Sequence, residues 1–360
     1  MARKIKVVVV DDSAFMRKSL SIMLESDPDI EIIGTARDGV EGYELVKKTA
    51  PDIVTLDIEM PRMDGLTTLK KIMKDCPTSV LMVSSLTTEG AEATMKALEY
   101  GAVDFIPKEL SFVNVNIINI REDLIRKVKE IVKQKSLRDR LKRLQSLKPV
   151  SDTTKSAHPA KLVLPKMLYK AVALGISTGG PMSLQKVIPT LSKKIDMPVF
   201  IVQHMPPKFT RSLAERLNGM SQLEVKEAEA DEVVKNGVVY IAPGGYHMTV
   251  KKNSGSQIVI KISDEPSTTL HRPSVDVMIN SVVEIYGKHT LGVIMTGMGK
   301  DGYEGIREIK RLGGYCLAQD EESCVVYGMP KAIVDAGFAD AIAPLNKISE
   351  TINNAVSYGK

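Results

Sequence analysis

The sequence predicts two α/β domains in tandem, each built on a mostly parallel sheet. Three observations carry this. Short apolar runs recur along the chain: Lys6–Val10, Ile53–Leu56, Val80–Val83, Ala171–Ile176, Pro198–Val202 and Leu291–Met295. Each is long enough for a strand buried on both faces and too short for an average helix. Helical patterns separate the runs, as the crossovers between parallel strands require. Between the two series, residues 149–165 hold three prolines with Ser and Thr, the composition of a linker.

With 360 residues, the chain has room for two domains that each bury a core. There is no tryptophan and only 4% aromatic residues, so those cores must be built from Val, Ile, Leu and Met. The net charge of +5 permits attraction to an acidic partner but does not by itself argue for nucleic acid. Three cysteines, Cys76, Cys316 and Cys324, show no Cys-x-x-Cys spacing, so neither a disulfide framework nor a zinc site is supported. Asp11 ends the first apolar stretch too soon for a signal peptide, and no apolar run is long enough to span a bilayer. These features predict a soluble, cytoplasmic protein with no membrane insertion.

In the first domain, Lys6–Val10 runs into Asp11-Asp12, and Ile53–Leu56 runs into Asp57. Strands of one parallel sheet end at a common edge, where open α/β sheets build their sites. Three clustered carboxylates repel one another and invite a hard cation such as Mg²⁺, which prefers oxygen ligands. An aspartate beside such a cation is a candidate phosphoryl acceptor. Val80–Val83 ends in Ser84, and Asp104–Lys108 presents a lysine; a hydroxyl and an ammonium both suit phosphate oxygens. Any one of these aspartates alone would read as a helix cap or turn residue. Residues 121–148 follow with Leu124, Ile125, Val128, Ile131 and Val132 at helical spacing on a basic helix. A last domain helix running into a solvated linker is preferred here to a nucleic-acid-binding arm.

Across roughly residues 4–125 this pattern resembles the flavodoxin-like (βα)5 receiver domain of response regulators. The resemblance implies Asp57 as phosphoacceptor, Asp11 and Asp12 as metal ligands, and a backbone-carbonyl ligand near Glu59. It also implies Ser84 as the switch hydroxyl, Lys108 as the phosphate-binding lysine and Mg²⁺ as the cofactor for phosphorylation. Met60–Gly65 matches the family's loop after the phosphosite, while Glu109 departs from the proline usual after the lysine.

The second domain presents three polar elements after strand-like runs: Gly175–Gly180, Gln203–Pro207 and Thr296–Gly302. If the strands share a sheet, Ser177, His204 and Asp301 converge at one edge. A serine hydroxyl needs a histidine to take its proton, and the histidine needs a carboxylate to fix its tautomer. Gly175-x-Ser177-x-Gly179 matches the nucleophile-elbow pattern, although the order Ser, His, Asp differs from that of α/β-hydrolases. His247 and His271 stand as rival bases, ranked lower because of their expected hairpin and loop positions; either can instead line a substrate groove. His158 and His289 read as surface residues, and Cys316 and Cys324 as buried thiols. Val238–Ile241 and Gln257–Ile262 are expected to flank a hairpin. Helices are expected over Arg211–Leu217, about 302–311 and 329–336.

Gly-Ile-Ser-Thr-Gly-Gly, Gln-His-Met, Ala-Pro-Gly-Gly-Tyr-His-Met, His-Arg-Pro-Ser-Val-Asp and Thr-Gly-Met-Gly-Lys-Asp-Gly together resemble the catalytic domain of chemotaxis protein-glutamate methylesterases. A receiver over 1–125, a basic helix and linker over 126–165 and a doubly wound, mostly parallel esterase domain over 166–360 then account for the chain. The resemblance implies Ser177 as nucleophile, His204 as general base and acid, and Asp301 as orienting acid. It puts Thr178, Met298 and Arg272 on the oxyanion and substrate side, with no cofactor for ester hydrolysis. It implies methyl-accepting chemoreceptors as substrates and a chemotaxis histidine kinase as phosphodonor. The expected control is an unphosphorylated receiver that covers the Ser177 cleft until Asp57 is phosphorylated. Two readings stay open: a response regulator whose output is binding alone, and an esterase acting on another methylated protein.

Overall fold

Alternation of apolar runs with amphipathic segments produces two separate α/β units. The computed structural model describes residues 3–108, 116–146, 164, 165 and 167–356. They fall into the units Met1–Arg143 and Leu144–Lys360. Glu109, the Ser111–Val115 stretch, His158 and nearly all of the expected linker lie outside the described residues.

The first unit alternates β1 (Ile5–Val10), α1 (Ala14–Glu25), β2 (Ile30–Ala36), α2 (Gly39–Thr49), β3 (Ile53–Asp57), α3 (Gly65–Asp75), β4 (Ser79–Ser84), α4 (Thr88–Glu99), β5 (Asp104–Pro107) and α5 (Asn116–Ser146). The strands pair in parallel in the order β2-β1-β3-β4-β5. Val7–Val10, Val54, Leu56 and Val80–Met82 are fully buried, as runs covered by helices on both faces must be. The order reverses between β1 and β3. Asp11, Asp12 and Asp57 follow or end those two strands, at the crevice where such sheets bind ligands.

Leu124, Val128 and Ile131 form the buried stripe of α5. Two of its lysines are engaged inside the unit. Lys127 lies 3.0 Å from Asp104 and donates to the Phe105 carbonyl at 2.8 Å. Lys129 bridges Asp27 at 3.0 Å and Asp29 at 2.7 Å. Part of the basic character read from the sequence is therefore neutralised within the fold.

The second unit contains β6 (Ala171–Ile176), α6 (Gly180–Val187), β7 (Val199–Gln203), α7 (Phe209–Met220), β8 (Glu224–Glu227), β9 (Val238–Ile241), β10 (His247–Lys252), β11 (Ile258–Ser263), α8 (Val275–Tyr286), β12 (Thr290–Ile294), α9 (Tyr303–Arg311), β13 (Tyr315–Gln319), α10 (Met329–Asp335), β14 (Ala341–Ala343) and α11 (Leu345–Val356). Seven strands pair in parallel in the order β14-β13-β12-β6-β7-β9-β8. The chain leaves β6 for β7 on one side and returns to β12 on the other. The ends of β12, β6 and β7 therefore lie side by side.

The expected hairpin is real but displaced. Its strands are β10 and β11, paired antiparallel, whereas Val238–Ile241 is a fully parallel strand between β7 and β8. Both faces of β9 are buried, which an exposed hairpin strand would not allow. Helix α8 was not anticipated, although Ser274 followed by Val275, Met278, Ile279, Val282 and Val283 is a capped helical stripe.

Lys127→Met preserves most of the side-chain volume but leaves the Asp104 carboxylate buried without its cation. Breaking a buried pair from one side is expected to cost about 3 kcal/mol. The check is the denaturation midpoint of the first unit, followed by far-UV circular dichroism. An unchanged midpoint would mean that solvent already screens the pair.

Candidate active site

Strand register brings Ser177 and His204 together. Ile176, the last residue of β6, pairs with Gln203, the last of β7, and the His204 amide donates to the Ile176 carbonyl at 3.2 Å. Gln203 fastens the two loops further. Its buried side-chain amide donates to the Ser177 carbonyl at 3.0 Å and to the His204 carbonyl at 3.2 Å. Gly180 is required beside it, because any Cβ there would collide with the Gln203 side chain. On the other side of β6, the Ser177 amide donates to the Thr296 carbonyl at 2.9 Å. A Cβ on Gly297 would come within 2.8 Å of the Ser177 Cβ, so glycine lets this loop pass close to the serine.

Asp301 reaches His204 across this edge: Asp301 Oδ2 lies 2.8 Å from His204 Nε2. Among the described residues, His204 Nδ1 is buried without a partner, which leaves it as the ring nitrogen available to a serine proton. Asp301 is not the cap of the helix after it, since α9 has Gly302 at that position and no side-chain cap. It instead caps α8 from outside. Its Oδ2 accepts from the Val275 amide at 2.7 Å, and its Oδ1 from the Asp276 amide at 3.0 Å and the Ser274 hydroxyl at 3.0 Å. A helix N-terminus with free N–H groups is a natural seat for a carboxylate.

Two carboxyls in this cluster are driven apart. Burial pushes Asp301 up, but His204 and the Asp276 and Val275 amides outweigh it and hold the group below the usual carboxylate range. Burial, with the Asp301 charge adding to it, pushes Asp276 up to about 7 even though the Gly305 amide favours its ionised form. One carboxyl is thus kept as an anion and its neighbour toward the acid form, the pattern that separates acid and base roles.

The amides of Thr178 and Met298 have no acceptor among the described residues. The loop carrying Met298 is pinned, since the Gly297 carbonyl accepts from the Gly328 amide at 3.0 Å and the Met329 amide at 2.9 Å. Thr178 is buried, and its carbonyl accepts from the Thr296 hydroxyl at 2.9 Å. Arg272 is exposed. His271 stacks on His204, with ring centroids 4.2 Å apart. His247 is fully buried, so it neither acts as a solvent-facing base nor lines a groove. Cys316 and Cys324 are buried free thiols, and burial pushes the Cys316 thiol well up.

In the first unit, carboxylate oxygens of Asp11, Asp12 and Asp57 lie within 4.8 Å of one another. Lys108 Nζ sits 2.6 Å from Asp57 and 3.3 Å from Asp11. Burial raises Asp57 to about 6; the Lys108 bond opposes this and the Asp11 charge adds to it. An all-oxygen donor set with an excess of buried negative charge fits a hard divalent cation. Glu59 is exposed, and its amide faces Asp57 Oδ1 at 3.4 Å. Ser84 is buried and turned into α4: its hydroxyl donates to the Gly90 carbonyl at 3.1 Å and accepts from Thr94 at 2.8 Å.

The CheB methylesterase family model matches residues 172–352, and the response regulator receiver domain model matches 7–117. The chain is 48% identical to a protein-glutamate methylesterase/protein-glutamine glutaminase of Pyrococcus horikoshii, over 99% of this chain and 95% of that one. The chain belongs to the CheB methylesterase family. A second relative with that name, from Nitratidesulfovibrio vulgaris, is 49% identical over 98% of this chain and 99% of its own length. The crystal structure of the Thermotoga maritima CheB methylesterase catalytic domain is 46% identical, with a TM-score of 0.50, covering 52% of this chain and 99% of that one. This CheB-family chain is thus an enzyme of the methylesterase class with an N-terminal receiver. Among the described residues no helix is long and apolar enough to cross a membrane.

Sequence reasoning missed the support around the triad candidates. Gln203, Ser274 and Asp276 all lie inside quoted motifs but received no role. The signal for Ser274 was the helix pattern after it. Nothing in the sequence revealed that Gln203 bonds two carbonyls at once.

Asp276→Asn tests the carboxyl pair. Asparagine keeps an acceptor for the Gly305 amide and a donor toward Asp301, as a protonated Asp276 does. A carboxyl raised in the folded state favours folding below its unfolded pKa and loses that advantage as pH rises through about 7. The variant is therefore expected to be more stable than the parent at pH 8, by up to roughly 4 kcal/mol, and close to it near pH 4. Denaturant midpoints at both pH values are the check, and parallel profiles would contradict the pairing.

Proposed function

We propose that the chain hydrolyses γ-glutamyl methyl esters on the cytoplasmic helices of methyl-accepting chemoreceptors, and deamidates glutamine at equivalent positions. The observation that carries this is the 2.8 Å His204–Asp301 bond beside Ser177, on adjoining strand ends of one parallel sheet. In this mechanism the Ser177 hydroxyl attacks the ester carbonyl while His204 Nδ1 takes its proton. Asp301 holds the Nε2–H tautomer and balances the imidazolium. The amides of Thr178 and Met298 donate to the tetrahedral oxyanion, where one well-placed donor is worth roughly 10²–10³ in rate. His204 returns the proton to the departing methanol, or to ammonia from a glutamine. Water, activated by the same histidine, then releases glutamate and restores Ser177. Apart from that water, every step uses side chains and amides of this chain. The exposed Arg272 guanidinium is suited to pair with acidic groups on the receptor.

The receiver supplies control. Asp11, Asp12, Asp57 and the carbonyl at Glu59 are the ligands we assign to Mg²⁺, which would supply charge neutralisation at the phosphosite. A chemotaxis histidine kinase is the phosphodonor, and Asp57 Oδ accepts the phosphoryl group. Lys108 is already within reach of that carboxylate. Ser84 must leave its α4 bonds to meet the phosphate, which gives the switch a defined moving part.

The test is methanol release from methylated chemoreceptor membranes. Ser177→Ala is expected to abolish release. Asp57→Asn is expected to keep basal release but lose the rise produced by Mg²⁺ and a small phosphodonor. Removing residues 1–150 is expected to raise basal release if the unphosphorylated receiver inhibits. Release that survives Ser177→Ala would overturn the nucleophile assignment.

A further inference from the structure

His247 opens β10 and is fully buried, yet both of its ring nitrogens are engaged. Nδ1 faces the Ser274 amide at 3.2 Å. Nε2 lies 3.0 Å from the Thr269 hydroxyl and 3.3 Å from the Pro266 carbonyl. A backbone N–H can only donate, so Nδ1 must present a lone pair, and the ring is the neutral Nε2–H tautomer. Ser274 is the residue from which Asp301 is held. Its hydroxyl donates to Asp301 Oδ1, and the next two amides, of Val275 and Asp276, donate to the same carboxylate.

We propose that His247 is a positioning residue for the Ser177 site, fixing the first turn of α8 so that Asp301 is aimed at His204. This rests on the reading of Ser177, His204 and Asp301 as the catalytic triad. The chain of contact runs from the His247 ring to the Ser274 amide, from Ser274 and its neighbours to Asp301, and from Asp301 to His204 Nε2. The histidine never touches substrate. A protonated ring would set an Nδ1–H against the Ser274 N–H, two donors facing each other, and the helix start would move.

The surroundings hold the ring neutral. Burial disfavours its charge and Arg272 adds repulsion, against the opposing pull of the Pro266 carbonyl, Asp301 and Glu265. The neutral ring therefore supports the fold above its ordinary pKa, and that support is lost as pH falls below it.

The test uses the full chain, with two variants and two kinds of readout. Nitrogen-15 histidine NMR at pH 7.5, with the His247 signal identified by its loss in His247→Asn, is expected to show the neutral Nε2–H tautomer. An Nδ1–H tautomer or an imidazolium overturns the proposal. The Nε2–H proton of His204 in its bond to Asp301 should persist in His247→Asn, whose Oδ1 can still accept from Ser274. It should broaden or vanish in His247→Leu. In methanol release, His247→Leu is expected to lower kcat at least tenfold with KM within twofold, the loss typical of misplaced catalytic groups. His247→Asn should recover at least half of the parental kcat. Equal losses in both variants, or a change confined to KM, overturns positioning. If the parent protein releases no methanol, the esterase reading fails, while the tautomer and the His204 proton still decide whether His247 aims Asp301. Should His247→Leu not fold, the parental tautomer and the retained kcat of His247→Asn carry the same decision.

Discussion

Everything at the second site depends on where one carboxylate is held. Asp301 takes two amides and a hydroxyl from the first turn of α8 and returns one oxygen to His204. Burying an ion is costly unless its lone pairs are filled, and here four donors fill them. The carboxylate therefore stays charged in a place where burial alone would neutralise it. It is also rigid, because its donors belong to a helix whose Val275, Met278 and Ile279 are packed in the core. A histidine held by such an anion keeps one tautomer.

The first unit solves the opposite problem with the same residue type. Asp57 and Asp11 are buried with few donors, and Lys108 offers them one shared cation. Both carboxyls are pushed up by burial, so the cluster is short of positive charge. That shortage suits the cluster to a divalent cation with oxygen ligands. At Asp301 the donors are backbone amides and permanent; at Asp57 much of the compensation must come from outside the chain. The same residue type is thus fully compensated in one unit and under-compensated in the other.

Both sheets are legible in the sequence because their strands are continuous apolar runs, and the candidate residues follow those runs directly or, for Asp301, in the loop that leaves the run. Ser177, His204 and Asp301 could be placed at one edge without coordinates for that reason. Less was legible where a residue's role depends on three-dimensional partners. Asp301 lies just before α9 in the chain, yet it caps α8. Val238–Ile241 has the same composition in a hairpin or a buried parallel strand, and only burial on both faces separates the two. In the sequence His247 stands as a rival base because a histidine's chemistry is visible there, whereas its full burial is not.

The two forms of legibility differ in physical origin. Strand ends converge because parallel topology forces them to, so any chain with these runs brings its post-strand residues to one edge. The supporting contacts have no such topological guarantee. Gln203 must have both carbonyls within reach, Gly180 must leave it room, and His247 must offer a lone pair to one particular amide. Topology delivers Ser177, His204 and Asp301 to one sheet edge, and catalysis is sensitive to displacements much smaller than that edge. The residues that close the remaining gap are therefore those whose roles only the fold makes visible. In this chain they are an amide, a helix cap and a buried imidazole behind three groups that the sequence already displays.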